Sequence, residues 1–317
     1  MSDTKNHTQH SEQAIVPVPV FTTQTAEEAI VITQTPSRAT TLEQDASEPF
    51  RIVLLGDIVG RPGRAALKKD LQKLRDSKGV DLVIAQSENL AHGFGITPET
   101  ITDIMSSGVD VATGGNHTWK NSAGVQLLAS GAEPTVLRPA NAAATLAGPT
   151  HVRVRVPGMK HDIVISCLLG QVFMKDIVAS PFETATALFE TYKEESVHYI
   201  FDLHAEATGE KRIFGHFVDG KALVVVGTHT HVQTADEEIL EKGTAYITDL
   251  GFTGALDSSL GMRRDLVMKK VALKEDVSLE PATEAGDTVI HGVLVTLDRT
   301  TEQPTQIERI AIISREK

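Results

Sequence analysis

The chain has 317 residues, 41% of them hydrophobic and 23% charged, and a formal net charge of −12. That size and apolar share suffice for a substantial core, in one large domain or two small ones. The acidic balance argues against a protein that coats a phosphate backbone, but not against a small phosphorylated substrate met through bound cations.

Residues 1–48 are rich in Thr, Gln, Ser, Ala and Glu, and Pro17, Pro19 and Pro36 interrupt their weak apolar patches. They read as a disordered extension that cannot bury enough surface to fold. No basic start precedes an apolar core, and Asp3, Glu12, Glu27 and Glu28 speak against a transit peptide, so a cytoplasmic location is expected. No later run approaches the ~18 apolar residues of a membrane span. One folded domain is expected over residues 49–317.

It opens with an apolar strand, 50–55, ending in Gly56-Asp57. Residues 60–64 turn the chain into a helix over 65–76, with Leu67, Leu71 and Leu74 on one face. A second buried strand, 80–85, runs into Gln86-Ser87-Glu88-Asn89, and Thr97-Pro98-Glu99 starts a helix that Thr97 can cap. A short strand, 109–113, leads into Gly114-Gly115-Asn116-His117-Thr118-Trp119. Val152-Arg153-Val154-Arg155-Val156 alternates strictly and, after Pro157-Gly158, pairs with 161–168 as a hairpin with one wet face. Cys167 lies in that second strand and reads as a core residue. A helix is expected over 181–195, then strands over 197–201, 224–226 and 244–249, and two antiparallel strands, 289–297 and 307–313, close the chain. This is a layered α/β domain with a mixed sheet.

Several strands finish in polar residues: Asp57, Glu88-Asn89, Asn116-His117, His204, and His229 with His231. Each has an ordinary explanation as a cap, a turn residue or a hydrogen-bonded histidine. Together, at one topological end, they form a set of carboxylate, amide and imidazole donors that suits one or two borderline divalent metals. His229 and His231, two residues apart, are expected to face one point. No thiolate joins the set, which argues against a cysteine-based structural zinc.

In their order, Gly56-Asp57, Glu88-Asn89, Gly115-Asn116-His117 and Gly227-Thr228-His229-Thr230-His231 resemble the blocks of the calcineurin-like metallophosphoesterases. The strings GDIVGRPGR, SENLAHGFGIT, GNHTW, RPAN, DLHAEATGEK, VVGTHTHVQTAD and GTAYITDLG resemble the YmdB-type branch, from about residue 51 to the end. The resemblance implies a four-layer α/β/β/α sandwich with mixed sheets. It also implies two transition-metal ions, iron or manganese foremost, with zinc or cobalt as alternatives. Asp57, Glu88, Asn89 and His231 would hold one, and Glu88, Asn116, His204 and His229 the other, with Glu88 bridging. The superfamily's usual Asp-x-His is absent, since Ile58 and Val59 follow Asp57, and Glu88 stands where an aspartate is usual. Both are features of the branch, and they leave the identity of the metal open.

His117 would protonate the departing oxygen. His92 is expected near the substrate, and only the resemblance favours Thr118, Arg138 and Asn141 there. Trp119 is more readily a packing residue than a base-stacking one. His151, His161, His198, His216 and His291 are assigned no chemistry. The implied activity is hydrolysis of small cyclic nucleotides, 2′,3′- or 3′,5′-cyclic monophosphates, by metal-activated water. A phosphomonoesterase (nucleotidase or phosphoprotein phosphatase) and a regulatory nucleotide-binding protein with incidental hydrolysis stand as alternatives. A small phosphodiester is the expected partner. Neither a membrane nor a stable nucleic-acid partner is expected, and homo-oligomerisation is left open.

Overall fold

The computed structural model describes residues 16–22, 24, 28–32, 48–283 and 286–316. The first strand, β1, is Ile30–Val31. β2 (Phe50–Leu55) and β3 (Asp57–Ile58) follow on either side of Gly56. Helix α1 (Gly60–Lys78) begins five residues before the expected start at 65. Its first turn absorbs Pro62 and both glycines because the opening N–H groups of a helix have no internal partners to lose. β4 (Leu82–Gln86) leads to α2 (Pro98–Ser106), which Thr97 caps as expected by accepting the Thr100 N–H.

Next come β5 (Val111–Thr113), α3 (Ser122–Ser130), β6 (His151–Arg155), β7 (Asp162–Leu169) and α4 (Pro181–Thr191). β8 (Val197–His204), α5 (Thr208–Val218), β9 (Val224–Thr228), β10 (Glu238–Ile239), β11 (Ala245–Ile247) and β12 (Phe252–Ala255) follow. The chain ends with α6 (Arg264–Val271), β13 (Thr288–Leu297) and β14 (Pro304–Ser314).

The strands form two seven-stranded sheets. One runs β1-β6-β7-β8-β9-β11-β10; the other runs β3-β12-β13-β2-β4-β5, with β14 also paired to β13. Both are mixed: β7, β8 and β9 are parallel while β6 is antiparallel to β7, and β2, β4 and β5 are parallel while β13 is antiparallel to β2. Side-chain alternation builds the layers. Ile52 and Leu54 of β2 enter the core between the sheets, where they meet Ile165, Ile200 and Val226. Val53 and Leu55 point the other way, into a core with Leu67 and Leu71 of α1. On the opposite outer face Leu188 of α4 and Phe214 of α5 pack on Phe201 of β8. The result is the expected four-layer α/β/β/α sandwich. Among the described residues no helix is long and apolar enough to cross a membrane.

Two expectations are corrected. The β6–β7 hairpin has no wet face along most of its length, because Arg153 is buried. Its guanidinium pairs with Asp162 at 2.8 Å and with Glu195, and such pairing is what lets a charge be covered. The extension expected over residues 1–48 is partly built into the fold. Ile30 and Val31 pair in parallel with Val154 and Arg155, and Ile32 joins the core between the sheets. Phe21 meets the His151 ring edge-on, and the Gln24 side chain accepts the Arg153 N–H at 2.7 Å. The free edge of β6 carries backbone groups that need partners, and this short apolar segment supplies them. Residues 1–15, 23, 25–27 and 33–47 of the extension lie outside the described residues.

Candidate metal centre and active site

All the expected ligands stand where strands end. Asp57 begins β3, Glu88 and Asn89 follow β4, and Asn116 and His117 follow β5. His204 is the last residue of β8, and His229 and His231 follow β9. Because the two sheets lie face to face, these carboxyl ends converge on one pole of the sandwich. The approach is close enough to require glycine at two positions. A Cβ on Gly115 would lie 2.3 Å from Glu88 Oε2, and one on Gly227 would lie 1.8 Å from the Thr248 carbonyl.

The donors divide into two neighbouring groups. In the first, His231 Nε2 lies 3.4 Å from Asp57 Oδ1, and the Asn89 amide lies 3.4 Å from each of them. In the second, His204 Nε2 lies 3.3 Å from Glu88 Oε1, 3.0 Å from Asn116 Oδ1 and 3.1 Å from His229 Nδ1. Glu88, His204 and His229 have donor atoms close enough to share an ion. The expectation that His229 and His231 face one point is thereby corrected. Both adopt left-handed backbone, with φ of 95° and 62°, so the turn sends one imidazole to each group. Residues held at such angles are typical of functional sites.

Electrostatics favours cations here. Asp57 and Glu88 are both buried, and among the described residues neither has a lysine or arginine partner. Burial alone would raise both carboxyls. The His231 imidazole beside Asp57 outweighs burial and holds its pKa below the usual value, and His204 with His117 holds Glu88 well below. Burial lowers His231 and His204, yet Asp57 lifts the first to about 9 and Glu88 lifts the second to about 8. His229, half-buried and next to His204, falls to about 4. Two buried carboxylates balanced only by imidazoles, with amide oxygens nearby, are a donor set that fits a pair of transition-metal ions.

The supporting contacts orient the ligands. His231 Nδ1 donates to the Leu260 carbonyl at 2.9 Å, which turns Nε2 toward Asp57. His204 Nδ1 is engaged by Gln86 and Thr228, and Thr228 donates to Asp202 at 2.7 Å. Asp202, pushed up to about 6 by burial, also accepts from Thr113. Buried Lys211 pairs with Asp249 at 2.7 Å, and Asp249 accepts both the N–H and the hydroxyl of Thr230. That ion pair fixes the residue between the two histidines. Neither Asp202 nor Lys211 stood out in the sequence, because their partners lie more than twenty residues away.

His117 lies beside both groups. Its backbone N–H donates to Glu88 Oε2 at 2.7 Å, and its Nδ1 lies 2.9 Å from the Asn89 side chain and 3.1 Å from Glu88 Oε1. Nε2 is therefore the nitrogen left to the adjacent cleft. That cleft holds about 420 Å³ and is lined by His117, Asn116, His229, Lys120, Lys175 and Phe173. Phe173 is 84% exposed and held at a φ of 63°. Glu206 reaches His229 Nε2 at 3.1 Å, and Phe94 meets the His117 ring edge-on at 4.9 Å. Sequence reasoning missed Lys120, Phe173, Lys175, Glu206 and Phe94; nearness in the chain to His117, His204 and His92 was the only signal for Lys120, Glu206 and Phe94, and Phe173 and Lys175 had none.

The expected substrate contacts fare differently. His92 is exposed on the loop after β4, at a φ of 52°. Thr118 is buried, and its hydroxyl both accepts from the Gly115 N–H and donates to the Gly115 carbonyl. It shapes the turn that carries Asn116 and His117 and offers no face to a substrate. Arg138 and Asn141 are also buried and bind backbone carbonyls, of Gly148 and Pro139 and of Leu169 and Ala179. Trp119 donates to the Ala147 carbonyl and packs on the α1–α2 core, as the packing reading expected.

Residues 53–310 match the sequence model of the YmdB-like protein family. The chain belongs to the YmdB-like family. It is accordingly a hydrolase of the metallophosphoesterase class, as its residues resembled. Among YmdB-like relatives, the 2′,3′-cyclic-nucleotide 2′-phosphodiesterase of Bacillus subtilis is 38% identical over 263 residues, covering 83% of this chain and 97% of its own. The crystal structure of a novel phosphatase from Mycoplasma pneumoniae superposes with a TM-score of 0.77 at 29% identity, over 85% of this chain and 95% of the other. A hypothetical protein from Thermus thermophilus does so with a TM-score of 0.75 at 31% identity, over 84% and 100%.

Proposed function

We propose that this YmdB-like protein is a dinuclear-metal phosphodiesterase of small cyclic nucleotides, with 2′,3′-cyclic monophosphates as first substrates and 3′,5′-cyclic monophosphates as a second class. The observation that carries the reading is the placing of His117. It lies against both ligand groups and also lines a cleft with an exposed aromatic ring and two lysines. The Bacillus subtilis relative's activity supports the same substrate class.

Asp57, Asn89 and His231 would hold one ion, Asn116, His204 and His229 the other, and Glu88 would serve both. Two ions bound there would offset phosphate charge and would lower the pKa of water toward ~7. The Asn89 amide nitrogen now faces Asp57 and His231. A half-turn of that amide would present its oxygen to a bound ion and would leave its NH₂ to donate to His117 Nδ1. His117 then carries its proton on Nε2, toward the cleft.

Opening a cyclic ribose diester expels an alkoxide, a poor leaving group that needs a proton as the bond breaks. His117 supplies it, a contribution of roughly 10²–10⁴-fold. Lys120 and Lys175 offer ammonium groups to the phosphate at a rim that Asp176 and Glu206 also line. Phe173 offers a flat apolar face on which a nucleobase can stack, a contact of about 1–3 kcal/mol. Phe173→Ala is expected to raise KM for cyclic nucleotides about tenfold with little change in kcat.

The test is a screen of the metal-stripped protein reconstituted with manganese, iron, cobalt or zinc. Substrates are 2′,3′- and 3′,5′-cyclic nucleotides, bis(p-nitrophenyl) phosphate and p-nitrophenyl phosphate. Preference for the diesters with at least one metal is the expected result. Preference for the monoester would make the protein a phosphomonoesterase, and inactivity with every metal would favour a binding role.

A further inference from the structure

At the opposite pole of the sandwich a second set of metal-binding side chains converges. His161 directly precedes β7, His198 is the second residue of β8, and Glu302 lies in the turn between β13 and β14. His198 and His204 share one strand. Six residues at about 3.3 Å each put them roughly 20 Å apart, so this cluster is separate from the ligand groups described above. Its three members come from both sheets.

The convergence is tight. His161 Nδ1 lies 2.7 Å and His198 Nε2 lies 2.9 Å from the same oxygen, Glu302 Oε2. The two imidazole rings meet edge-on with centroids 5.1 Å apart. All three donor atoms are close enough to one another to share an ion. Glu302 is 1% exposed, and its other carboxylate oxygen accepts the Lys160 N–H. Its backbone is left-handed, at a φ of 55°, which turns the acid inward. The His161 side chain is 37% exposed and leaves one side of the cluster open to solvent.

We infer that His161, His198 and Glu302 form a separate site for a single borderline transition-metal ion, zinc foremost, which clamps the β13–β14 turn of one sheet to β7 and β8 of the other. Two imidazoles and one carboxylate are a recurrent zinc donor set, completed by water at an open fourth position. Tetrahedral ligands about 2.0–2.1 Å from zinc lie about 3.3 Å apart. The contacts to Glu302 therefore need to open by only about half an ångström. The ion takes the place of the ring protons that Glu302 Oε2 otherwise accepts; each neutral imidazole keeps one proton, on its other ring nitrogen, and only a second proton, where a ring is charged, leaves to solvent. Neither the cleft nor His117 takes part, so the site acts on stability and not on turnover.

The test compares the wild-type chain with the His161→Gln/His198→Gln variant. Glutamine amides can still donate to Glu302, so a plain hydrogen-bonded latch survives while the imidazole lone pairs are lost. Both proteins are stripped with a chelator, loaded with zinc, desalted and assayed for metal per chain. Thermal unfolding is then followed with and without zinc. The wild type is expected to retain one more equivalent of zinc per chain and to gain more in Tm from zinc, with equal phosphodiesterase activity in manganese. His161→Gln alone, at the most exposed of the three residues, gives the same comparison should the double variant fold poorly. Equal zinc content and equal zinc-dependent Tm in wild type and variant would overturn the inference.

Discussion

The two poles of the sandwich use the same residue types for different ends. Strand β8 contributes His198 to one and His204 to the other. At the carboxyl pole two amides and three imidazoles surround two buried carboxylates, and His117 links them to a cleft of about 420 Å³. At the amino pole two imidazoles share a single carboxylate oxygen, and the cluster meets solvent through the His161 ring. Gathering donors is enough to hold an ion. Catalysis needs in addition a second ion, a proton donor beside the pair and a cavity that admits substrate.

The sharpest way to break this contrast is Glu88→Gln. It removes the carboxylate proposed to serve both ions at the active pole, so turnover should fall to background and metal content at that pole should drop. The zinc retained through His161, His198 and Glu302 should persist, as metal analysis of the variant would show. A smaller loss is expected for His117→Ala: kcat falls roughly 10²–10⁴-fold while bound metal stays at the wild-type level. Full activity in that variant would remove His117 from the mechanism.

Asp202→Asn tests the support beneath His204 through Thr228. A loss of about 10–100-fold in metal affinity or activity is expected there, with no change in zinc retention at the far pole. Titrating activity against metal concentration separates the two.

The smallest effect is on acid stability of the metal-free chain. Burial raises Glu302, but the Lys160 N–H and the imidazoles of His161 and His198 outweigh it, so its pKa lies below the ordinary 4.5. A carboxyl depressed on folding stabilises the protein fully above its unfolded pKa, and that contribution is lost as pH falls through the folded value. Glu302→Gln should therefore flatten the fall in Tm below about pH 4.5 relative to wild type. Glu88, also depressed, should leave most of the acid limb in place. A profile identical to wild type would show that Glu302 does not gain its stabilising partners on folding.

Much of the active pole was legible because its donor residues are announced locally. Asp57, Glu88, Asn116, His204 and His229 each stand at the end of an apolar run or just beyond it, and open α/β sheets gather such ends on one side. The hairpin, the cap at Thr97 and the closing antiparallel pair were readable for the same reason: their signals lie within a few residues. The burial of Arg153 was not, since local alternation cannot reveal that Asp162 and Glu195 cover it. Thr118, Arg138 and Asn141 were placed near substrate by the resemblance alone, and the backbone groups that occupy them were out of view.

By itself, then, the sequence determined which donors exist and at which strand ends they stand, because chain periodicity and punctuation act over short distances. Only the tertiary structure decided that His229 and His231 part company, that Phe173 and two lysines rim the cleft, and that Ile30–Val31 completes a sheet edge. It alone brought Glu302 to His161 and His198, which lie 141 and 104 positions away in the chain. Such meetings depend on how two sheets stack, and no local pattern of residues encodes the register of that stacking.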